Sequence, residues 1–263
     1  MTRPLRPLSG ALWQKLHRIG SVAMWVSGLD TLKSQGFRPR TVFDVGVAAG
    51  TPDLYAAFPA ARYVLVDPTR ASLPHMQRLA RDLDAEVCNF ALGDGDGEIE
   101  IEERLDDING ATFFREVGVL GATERYAVPV RRFDRAFPEF ERPALCKIDV
   151  QGAELMVLRG MGERLADIDV FIVEASVLAT IEAAPEAFEV IAFMRERGFV
   201  IFDIVGTARR PLDKALAQLD MMFVRENSPL RADRRWAAEP RGAAASLTIK
   251  PGAVPGLPLK GAK

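Results

Sequence analysis

The chain has 263 residues, a formal net charge of −2 and 48% hydrophobic residues. This composition can bury a large core and excludes a disordered, collagen-like or disulfide-rich chain. Neither Cys88 nor Cys146 forms a CxxC pair or stands beside a histidine, as is typical of the reducing cytoplasm. No apolar run reaches the roughly 20 residues of a membrane-spanning helix. We therefore expect a soluble cytoplasmic protein with no membrane span.

Charge is distributed unevenly along the chain. Residues 1–40 carry seven Lys or Arg and one Asp, and residues 227–263 carry seven Lys or Arg and two acids. Residues 41–226 are left with a net charge of −13. Because a region this acidic repels phosphate backbones, we expect no nucleic-acid partner, and we interpret the basic ends as solvated segments.

An amphipathic helix is predicted near the N-terminus and is expected to end near Gly28. Its apolar stripe consists of Leu12, Leu16, Ile19, Ala23 and Val26. The stripe would be covered by the main domain or by a second subunit in a homodimer. The end of the chain is rich in Pro and Gly and predicts a flexible tail. We thus divide the chain into a helical extension (1–40), a central domain (41–226) and a basic tail (227–263).

Within the central domain, short β-rich runs alternate with helical stretches. The predicted strands are Thr41–Gly46, Arg62–Pro68, Ala85–Leu92, Ala144–Val150, Asp169–Ser176, Phe199–Gly206 and Leu219–Glu226. The predicted helices are Leu54–Phe58, Ser72–Asp82, Glu154–Arg159 and Glu186–Arg197. This alternation predicts an α/β fold with a doubly wound, mostly parallel seven-stranded sheet of Rossmann-like type. An insert over Gly93–Glu141 contains two further strand-like runs and could form a lid or a substrate wall.

Acidic residues follow or end four of the predicted strands. They are Asp44, Asp67, Asp149 and Glu174. In a doubly wound sheet, ligands bind beyond the carboxyl ends of the strands, so these side chains are the first candidates for a binding site.

The first strand leads into the turn Asp44-Val45-Gly46-Val47-Ala48-Ala49-Gly50. Alone, this turn is equally consistent with tight packing of the following helix. Asp67 lies 23 residues after Asp44, where a carboxylate can accept the hydroxyls of an adenosine ribose. Because the turn is not GxGxxG, it lacks the glycines that allow the backbone to approach the pyrophosphate of a dinucleotide. These features favour a nucleoside cofactor without phosphates, of which S-adenosylmethionine is the common one.

Five motifs follow one another along the chain: the DVGxxxG turn, Asp67-Pro68, Ala91-Leu92-Gly93-Asp94, the KIDVQGAE run over Lys147–Glu154, and Ile172-Val173-Glu174. In this order they resemble the FkbM family of S-adenosylmethionine-dependent methyltransferases. The resemblance covers roughly Thr41 to Arg225, and KIDVQGAE is its most specific part. It implies a class I methyltransferase fold and O-methylation of a sugar or natural-product hydroxyl, with a small-molecule or glycan acceptor as partner.

The resemblance also implies a set of site residues. The cofactor turn would consist of Asp44, Gly46, Val47, Ala48 and Gly50, with Asp67 and Pro68 at the ribose, Ala91 and Leu92 near the adenine, and Asp149 beside the sulfonium and the acceptor. Three positions depart from the family pattern: Ala48 replaces Asn, Asp67 replaces Glu, and Gln151 replaces Glu. Because Gln151 has an amide in place of a carboxylate, a role as a base or metal ligand is doubtful at this position.

Methyl transfer to an alcohol requires a group that accepts its proton, and Asp149 is the predicted base. Glu174 is a second candidate on the acceptor side. Thr112, in a small hydroxyl-bearing turn, is either a substrate contact or part of a surface loop. Asp149 and Glu174 could also hold a divalent metal, but no His and carboxylate cluster indicates one.

Two other functions are compatible with the same predicted fold. An NAD-dependent oxidoreductase would also use Asp67 on a ribose, but the chain has neither GxGxxG nor a Tyr-x-x-x-Lys pair. A non-catalytic nucleoside-binding or scaffold protein would explain Ala48 and Gln151. Binding of NAD, or binding of cofactor without turnover, would distinguish these alternatives.

Overall fold

The computed structural model of this chain describes residues 23–104, 123–178, 181 and 184–237. Thr112 lies outside the described residues, as do most of the predicted tail and the first part of the apolar stripe. By its internal contacts the chain divides into a unit Met1–Arg231 and a unit Ala232–Lys263.

Within the described residues, ten strands form two sheets. In chain order they are β1 (Thr41–Val45), β2 (Arg62–Val66), β3 (Ala85–Cys88), β4 (Ala91–Gly93), β5 (Gly97–Arg104), β6 (Thr123–Arg132), β7 (Ala144–Ile148), β8 (Val170–Ser176), β9 (Phe199–Arg209) and β10 (Leu216–Arg225). The larger sheet has the order β3-β2-β1-β7-β8-β10-β9, and only β10 runs antiparallel to its neighbours. This confirms the predicted doubly wound, mostly parallel sheet of seven strands. The strand order reverses between β1 and β7, where such sheets bind ligands.

The helices cover both faces of the larger sheet. They are α1 (23–34), α2 (Pro52–Ala57), α3 (Leu73–Asp82), α4 (Phe133–Ala136), α5 (Glu154–Gly160) and α6 (Ala187–Glu196), with short 3₁₀ segments at Gly162–Asp167 and Pro229–Arg231. One apolar cluster joins the sheet to α4, α5 and α6, and a second joins the opposite face to α1, α2 and α3. Because both faces are covered, strands such as β1 and β7 are buried along their whole length.

The predicted third strand, Ala85–Leu92, is wrong as a single element. The chain leaves the larger sheet after Cys88, and β4 pairs with β6 in a second sheet of order β4-β6-β5. At the break, the Asn89 side chain donates a hydrogen bond to the carbonyl of Asp67 (2.8 Å), in the loop that follows β2. The strand-like runs of the insert form β5 and β6.

The first helix also differs from its prediction, because α1 continues through Gly28 to residue 34. A Cβ on Gly28 would lie 2.3 Å from Cγ1 of Val205, so the glycine serves close packing on β9 rather than helix termination. Leu29 and Leu32 are buried in the same cluster. The described part of the N-terminal helix therefore packs on the main sheet. In the portion of the chain that is described, no helix is long and apolar enough to cross a membrane.

Candidate functional site

Charged side chains from four adjacent strands project from one face of the larger sheet. We call Asp44, Lys147, Glu174 and Asp220 the charged row. Side chains alternate along a strand, so residues two positions apart project from the same face. The residues two positions from the members of the row all belong to the apolar cluster that contains α1: Val42, Leu145, Ile172 and Met222. Asp44 is opposite Lys147 in the β1–β7 ladder, and Glu174 is opposite Asp220 in the β8–β10 ladder. The row therefore crosses the sheet on the side of α1.

Asp44 is fully buried and is held by protein groups. Its Oδ2 accepts hydrogen bonds from Tyr55 (2.5 Å) and Thr51 (3.1 Å), and its Oδ1 lies 3.3 Å from Nζ of Lys147. Burial opposes the charge of Lys147, but the carboxylates of Asp44 and Asp149 outweigh burial and raise its pKa. Any effect of Asp44 on a ligand would thus pass through Lys147 and the turn.

The glycine turn after β1 is shaped by contact with the end of β7. A Cβ on Gly46 would lie 1.7 Å from the carbonyl oxygen of Asp149, and Lys147 donates to the Gly46 carbonyl (2.5 Å). Gly46, Ala48 and Gly50 all have positive φ, of 79°, 48° and 110°. An alanine in this region costs free energy that glycine does not. Ala48 tolerates this conformation, but the close approach of Asp149 requires a glycine at position 46; Val47 in the same turn is buried.

Asp67 lies beside this turn, as predicted, but most of its acceptor capacity is used. Oδ2 accepts from the backbone N–H of Ala48 (2.9 Å), and Oδ1 accepts from the N–H (2.9 Å) and hydroxyl (2.7 Å) of Thr69. A carboxylate has about four acceptor positions, so about one remains on Oδ2. Pro68 next to it is partly exposed. Asp67 itself is buried, at 5% exposure, so a ligand could reach this remaining position only from the side of Pro68.

The loop that carries Asp67 is attached to the second sheet. Glu103 on β5 is buried and accepts hydrogen bonds from the N–H of Ala71 (3.1 Å) and from the hydroxyl of Tyr126 on β6. Arg70 stacks on the Tyr126 ring, with its guanidinium carbon 4.0 Å from the ring centroid. The insert thereby fixes the position of the loop.

Ala91 and Leu92 are both buried, on β4. Asn89 instead follows the carboxyl end of β3 and bonds to the carbonyl of Asp67. Sequence reasoning missed Asn89 because a single continuous strand was predicted there.

Asp149 and Glu174 are brought together by Gln151. Asp149 follows β7, is 34% exposed in its side chain, and places Oδ2 3.5 Å from Nζ of Lys147. The amide nitrogen of Gln151 donates to Oδ1 of Asp149 (2.8 Å) and to Oε2 of Glu174 (3.0 Å). Gln151 has a φ of 51°, an unfavourable conformation for a side chain other than Gly or Asn. The left-handed backbone aims the amide at both carboxyl groups.

The two carboxyl groups differ in ionisation. Burial opposes the charge on Asp149, but Lys147 and hydrogen bonds from Glu174 and Gln151 outweigh burial and lower the pKa of Asp149. Burial, followed by the charge of Asp149, raises the pKa of Glu174 well above its usual value. These opposite shifts favour the ionised form of Asp149 and the protonated form of Glu174.

Glu154, at the start of α5, is a further buried acid that sequence reasoning did not single out. It accepts hydrogen bonds from the N–H groups of Val150 (3.3 Å) and Gly152 (3.0 Å), and so holds the turn that contains Gln151. Burial raises its pKa to about 7. Among the residues that the structure describes, no group of three His, Cys, Asp or Glu could hold a metal ion.

The arrangement fits a nucleoside sulfonium ligand. Asp67 retains an acceptor position for a ribose hydroxyl, and Asp149 is accessible at the point where the strand order reverses. Acidic groups outnumber the single ammonium of Lys147 across the charged row and Asp149, which suits a cation.

Solved structures with low sequence identity resemble this chain. An N1-methyltransferase for 1,6-didemethyltoxoflavin from Burkholderia thailandensis, with 1,6-didemethyltoxoflavin and S-adenosylhomocysteine bound, is 14% identical over 86% of this chain and 93% of its own, with a TM-score of 0.40. Magnesium protoporphyrin IX methyltransferase from Synechocystis PCC 6803, with bound S-adenosylmethionine, is 12% identical over 85% and 86%, with a TM-score of 0.45. No curated protein matches the chain by sequence.

The Methyltransferase FkbM domain model matches residues 44–201. This range includes the glycine turn, Asp67, the KIDVQGAE run and Glu174. The strand order is that of the Rossmann-like class I methyltransferases, and the cofactor of the family is S-adenosylmethionine. The chain belongs to the FkbM family of S-adenosylmethionine-dependent methyltransferases.

Proposed function

We propose that this methyltransferase methylates a hydroxyl group of a small-molecule or glycan acceptor. The observation that carries the proposal is the carboxyl pair Asp149 and Glu174 beside the glycine turn. Asp149 is ionised and accessible, so it can accept a proton from an acceptor hydroxyl.

S-adenosylmethionine supplies an electrophilic methyl group when it is bound. We propose that Asp67 holds the ribose, that the turn of Gly46, Val47, Ala48 and Gly50 forms the floor beneath the cofactor, and that Asn89 and Pro68 flank the nucleoside. Asp44 would act through Lys147. Ala91 and Leu92 would support the adenine side from below, because both are buried.

On the acceptor side, Asp149 would receive the hydroxyl proton as the oxygen forms its bond to the methyl carbon and the carbon–sulfur bond breaks. Glu174 would keep its proton in the hydrogen bond to Asp149 and contact the acceptor. A carboxylate with a lowered pKa is a weak base, so alignment of the acceptor is expected to supply more of the rate than proton removal, up to about 7–11 kcal/mol. Thr112 is retained as a proposed substrate contact.

The domain boundaries are also part of the proposal. We assign the catalytic domain to residues 41–226, preceded by a helical extension over 1–40 and followed by a basic tail over 227–263. We propose a cytoplasmic location, which agrees with the free and buried thiols of Cys88 and Cys146.

The test begins with calorimetric titration of the purified protein with S-adenosylmethionine, S-adenosylhomocysteine and NAD. We expect micromolar binding of the first two and none of NAD. Sugars and other hydroxylated compounds are then incubated with ¹³C-methyl-labelled S-adenosylmethionine. The ¹³C chemical shift of the transferred methyl distinguishes a methyl ether from an N-methyl or C-methyl product. Cofactor binding with only N-methyl or C-methyl products would contradict O-methylation.

A further inference from the structure

Helix α1 contacts the charged row through one hydrogen bond. Nε1 of Trp25 donates to Oδ2 of Asp220 on β10, at 2.9 Å. Both side chains are half-buried. The family model matches residues 44–201, so Trp25 lies before the matched segment and Asp220 lies after it. Both residues therefore lie outside the match to the family model.

The fold reserves space for the Asp220 carboxylate. A Cβ on Gly206, its partner in the β9–β10 ladder, would lie 1.8 Å from Oδ2 of Asp220. Asp220 is also directly opposite Glu174, and directly opposed residues of antiparallel strands project from the same face. Strand β10 thus presents a carboxylate beside the proposed acceptor site.

Groups from three other segments, α1, β7 with its following turn, and β8, interact with Asp220. Burial and the charge of Asp149 raise its pKa to about 6, against opposing effects of the Trp25 N–H and of Lys147. Glu174, on the neighbouring strand, has its own pKa raised in part by Asp220. The ionisation of Asp220 and that of the carboxyl pair are therefore linked in both directions.

We propose that Asp220 is a positioning residue for the Asp149–Glu174 pair and that Trp25 holds its carboxylate in place, so that the N-terminal helix takes part in the acceptor site. Asp220 sets the electrostatic environment of Glu174, and the indole N–H favours the ionised form of Asp220. This inference rests on the proposed function, because it assumes that the carboxyl pair serves the acceptor.

The test measures the titration of Asp220 itself in the full-length protein. Carboxyl groups of aspartate are labelled with ¹³C, and the Asp220 signal is assigned by its loss in Asp220→Asn. We expect a midpoint near pH 6. Trp25→Phe removes the N–H that stabilises the ionised carboxylate, so the Asp220 midpoint should move to higher pH in this variant. Asp149→Asn removes a nearby negative charge, so the Asp220 midpoint should move to lower pH in that variant.

Asp30→Asn is the matched control, since Asp30 lies on the same helix as Trp25 but is 58% exposed and paired with Lys33. It should leave the midpoint unchanged, and circular dichroism should show that all variants are folded. A midpoint that Asp149→Asn does not move would overturn the proposal, because Asp220 would then only anchor α1.

Activity gives a second, separable result. With a hydroxyl acceptor identified as above, Asp220→Asn and Trp25→Phe should each lower kcat by about 10-fold to 100-fold, the size expected from a misplaced acceptor, with KM for S-adenosylmethionine unchanged. Product formation by the parent protein with unaltered kcat in both variants would overturn the positioning role. Failure of the parent to form a methyl ether would instead contradict the proposed function, while the titration result would stand.

Discussion

The carbonyl oxygen of Asp149 occupies the space in which a side chain on Gly46 would begin, 1.7 Å from an ideal Cβ. The turn after β1 and the turn after β7 are therefore in direct backbone contact. One turn would bind the cofactor and the other carries the proposed base. The two turns can approach this closely because residue 46 has no Cβ atom.

Gly46→Ala should separate these two turns. The added carbon overlaps the Asp149 carbonyl and also meets a φ of 79°, so we expect a loss of at least about 2 kcal/mol in the free energy of unfolding, together with weaker S-adenosylhomocysteine binding. Urea denaturation and calorimetry measure the two effects. Gly95→Ala, where nothing lies within 4 Å, should change neither quantity. Wild-type stability in Gly46→Ala would show that the contact is not required.

Asp67→Ala should weaken cofactor binding. The charge-assisted hydrogen bond to a ribose hydroxyl is worth about 1.5–3 kcal/mol, which corresponds to about 10-fold to 150-fold in Kd. Because Asp67 also holds the N–H groups of Ala48 and Thr69, thermal unfolding must be followed in parallel. Asp82→Ala, at the exposed end of α3, is the control. A Kd for S-adenosylhomocysteine that stays at the parent value would remove Asp67 from the site.

Asp149→Asn should separate binding from catalysis. The amide keeps the shape of the side chain but cannot accept the acceptor proton, so methyl transfer should fall by about 10²-fold or more while cofactor affinity stays within a few-fold. Single-turnover methyl transfer and calorimetry give the two quantities. Full residual transfer would rule out Asp149 as the base.

Two substitutions at Gln151 distinguish its amide from its backbone. Gln151→Gly relieves the left-handed conformation, which is worth about 1 kcal/mol, but it also removes two hydrogen bonds to carboxyl groups, so we expect no net gain in stability while methyl transfer falls. Gln151→Glu places a third carboxyl group between Asp149 and Glu174, so stability at pH 8 should fall. Urea denaturation checks both. Undiminished methyl transfer in Gln151→Gly would show that the amide has no part in the reaction.

Glu154 should make the folded state less stable as pH rises. The pKa of Glu154 is about 7 in the folded protein and near 4.5 in the unfolded chain, so the unfolded chain loses this proton at a lower pH than the folded protein does. The stability that the protonated group contributes is complete below about pH 4.5 and is lost as pH rises through 7. The loss is up to about 3 kcal/mol.

Glu154→Gln should reduce the difference in unfolding free energy between pH 5 and pH 8, measured by urea denaturation at each pH. Glu163→Gln, an exposed residue in the 3₁₀ segment after α5, should leave the difference unchanged. An equal difference in Glu154→Gln and the parent protein would contradict the raised pKa.

The larger sheet could be predicted from sequence because helices cover both of its faces, which makes runs such as Val170–Val173 continuously apolar. The end of β3 could not, because it depends on a hydrogen bond from Asn89 to a loop 22 residues earlier. The end of α1 was misplaced for a similar reason: Gly28 is a helix terminator by composition but a packing position against Val205 in the fold.

The part of the candidate site that could be predicted is the placement of its acidic residues along the strands. Asp67, Asp149 and Glu174 all lie at carboxyl ends of strands, as the apolar pattern indicates. Hydrogen-bond partners are another matter, since Trp25 and Asp220 are separated by 195 residues in the chain. No spacing rule connects two such residues, and only the antiparallel return of β10 brings them together.

That antiparallel return also bears on how the protein can be divided. The family-matched segment stops at residue 201, shortly after β9 begins, whereas β10 inserts between β8 and β9. A fragment cut at the match boundary would leave the hydrogen-bonding edge of β8 open along Val170–Ser176, a nearly all-apolar strand. Open apolar edges recruit other strands, so such a fragment would aggregate when expressed alone. The segment defined by sequence similarity thus omits β10, the strand that pairs with the edge of β8.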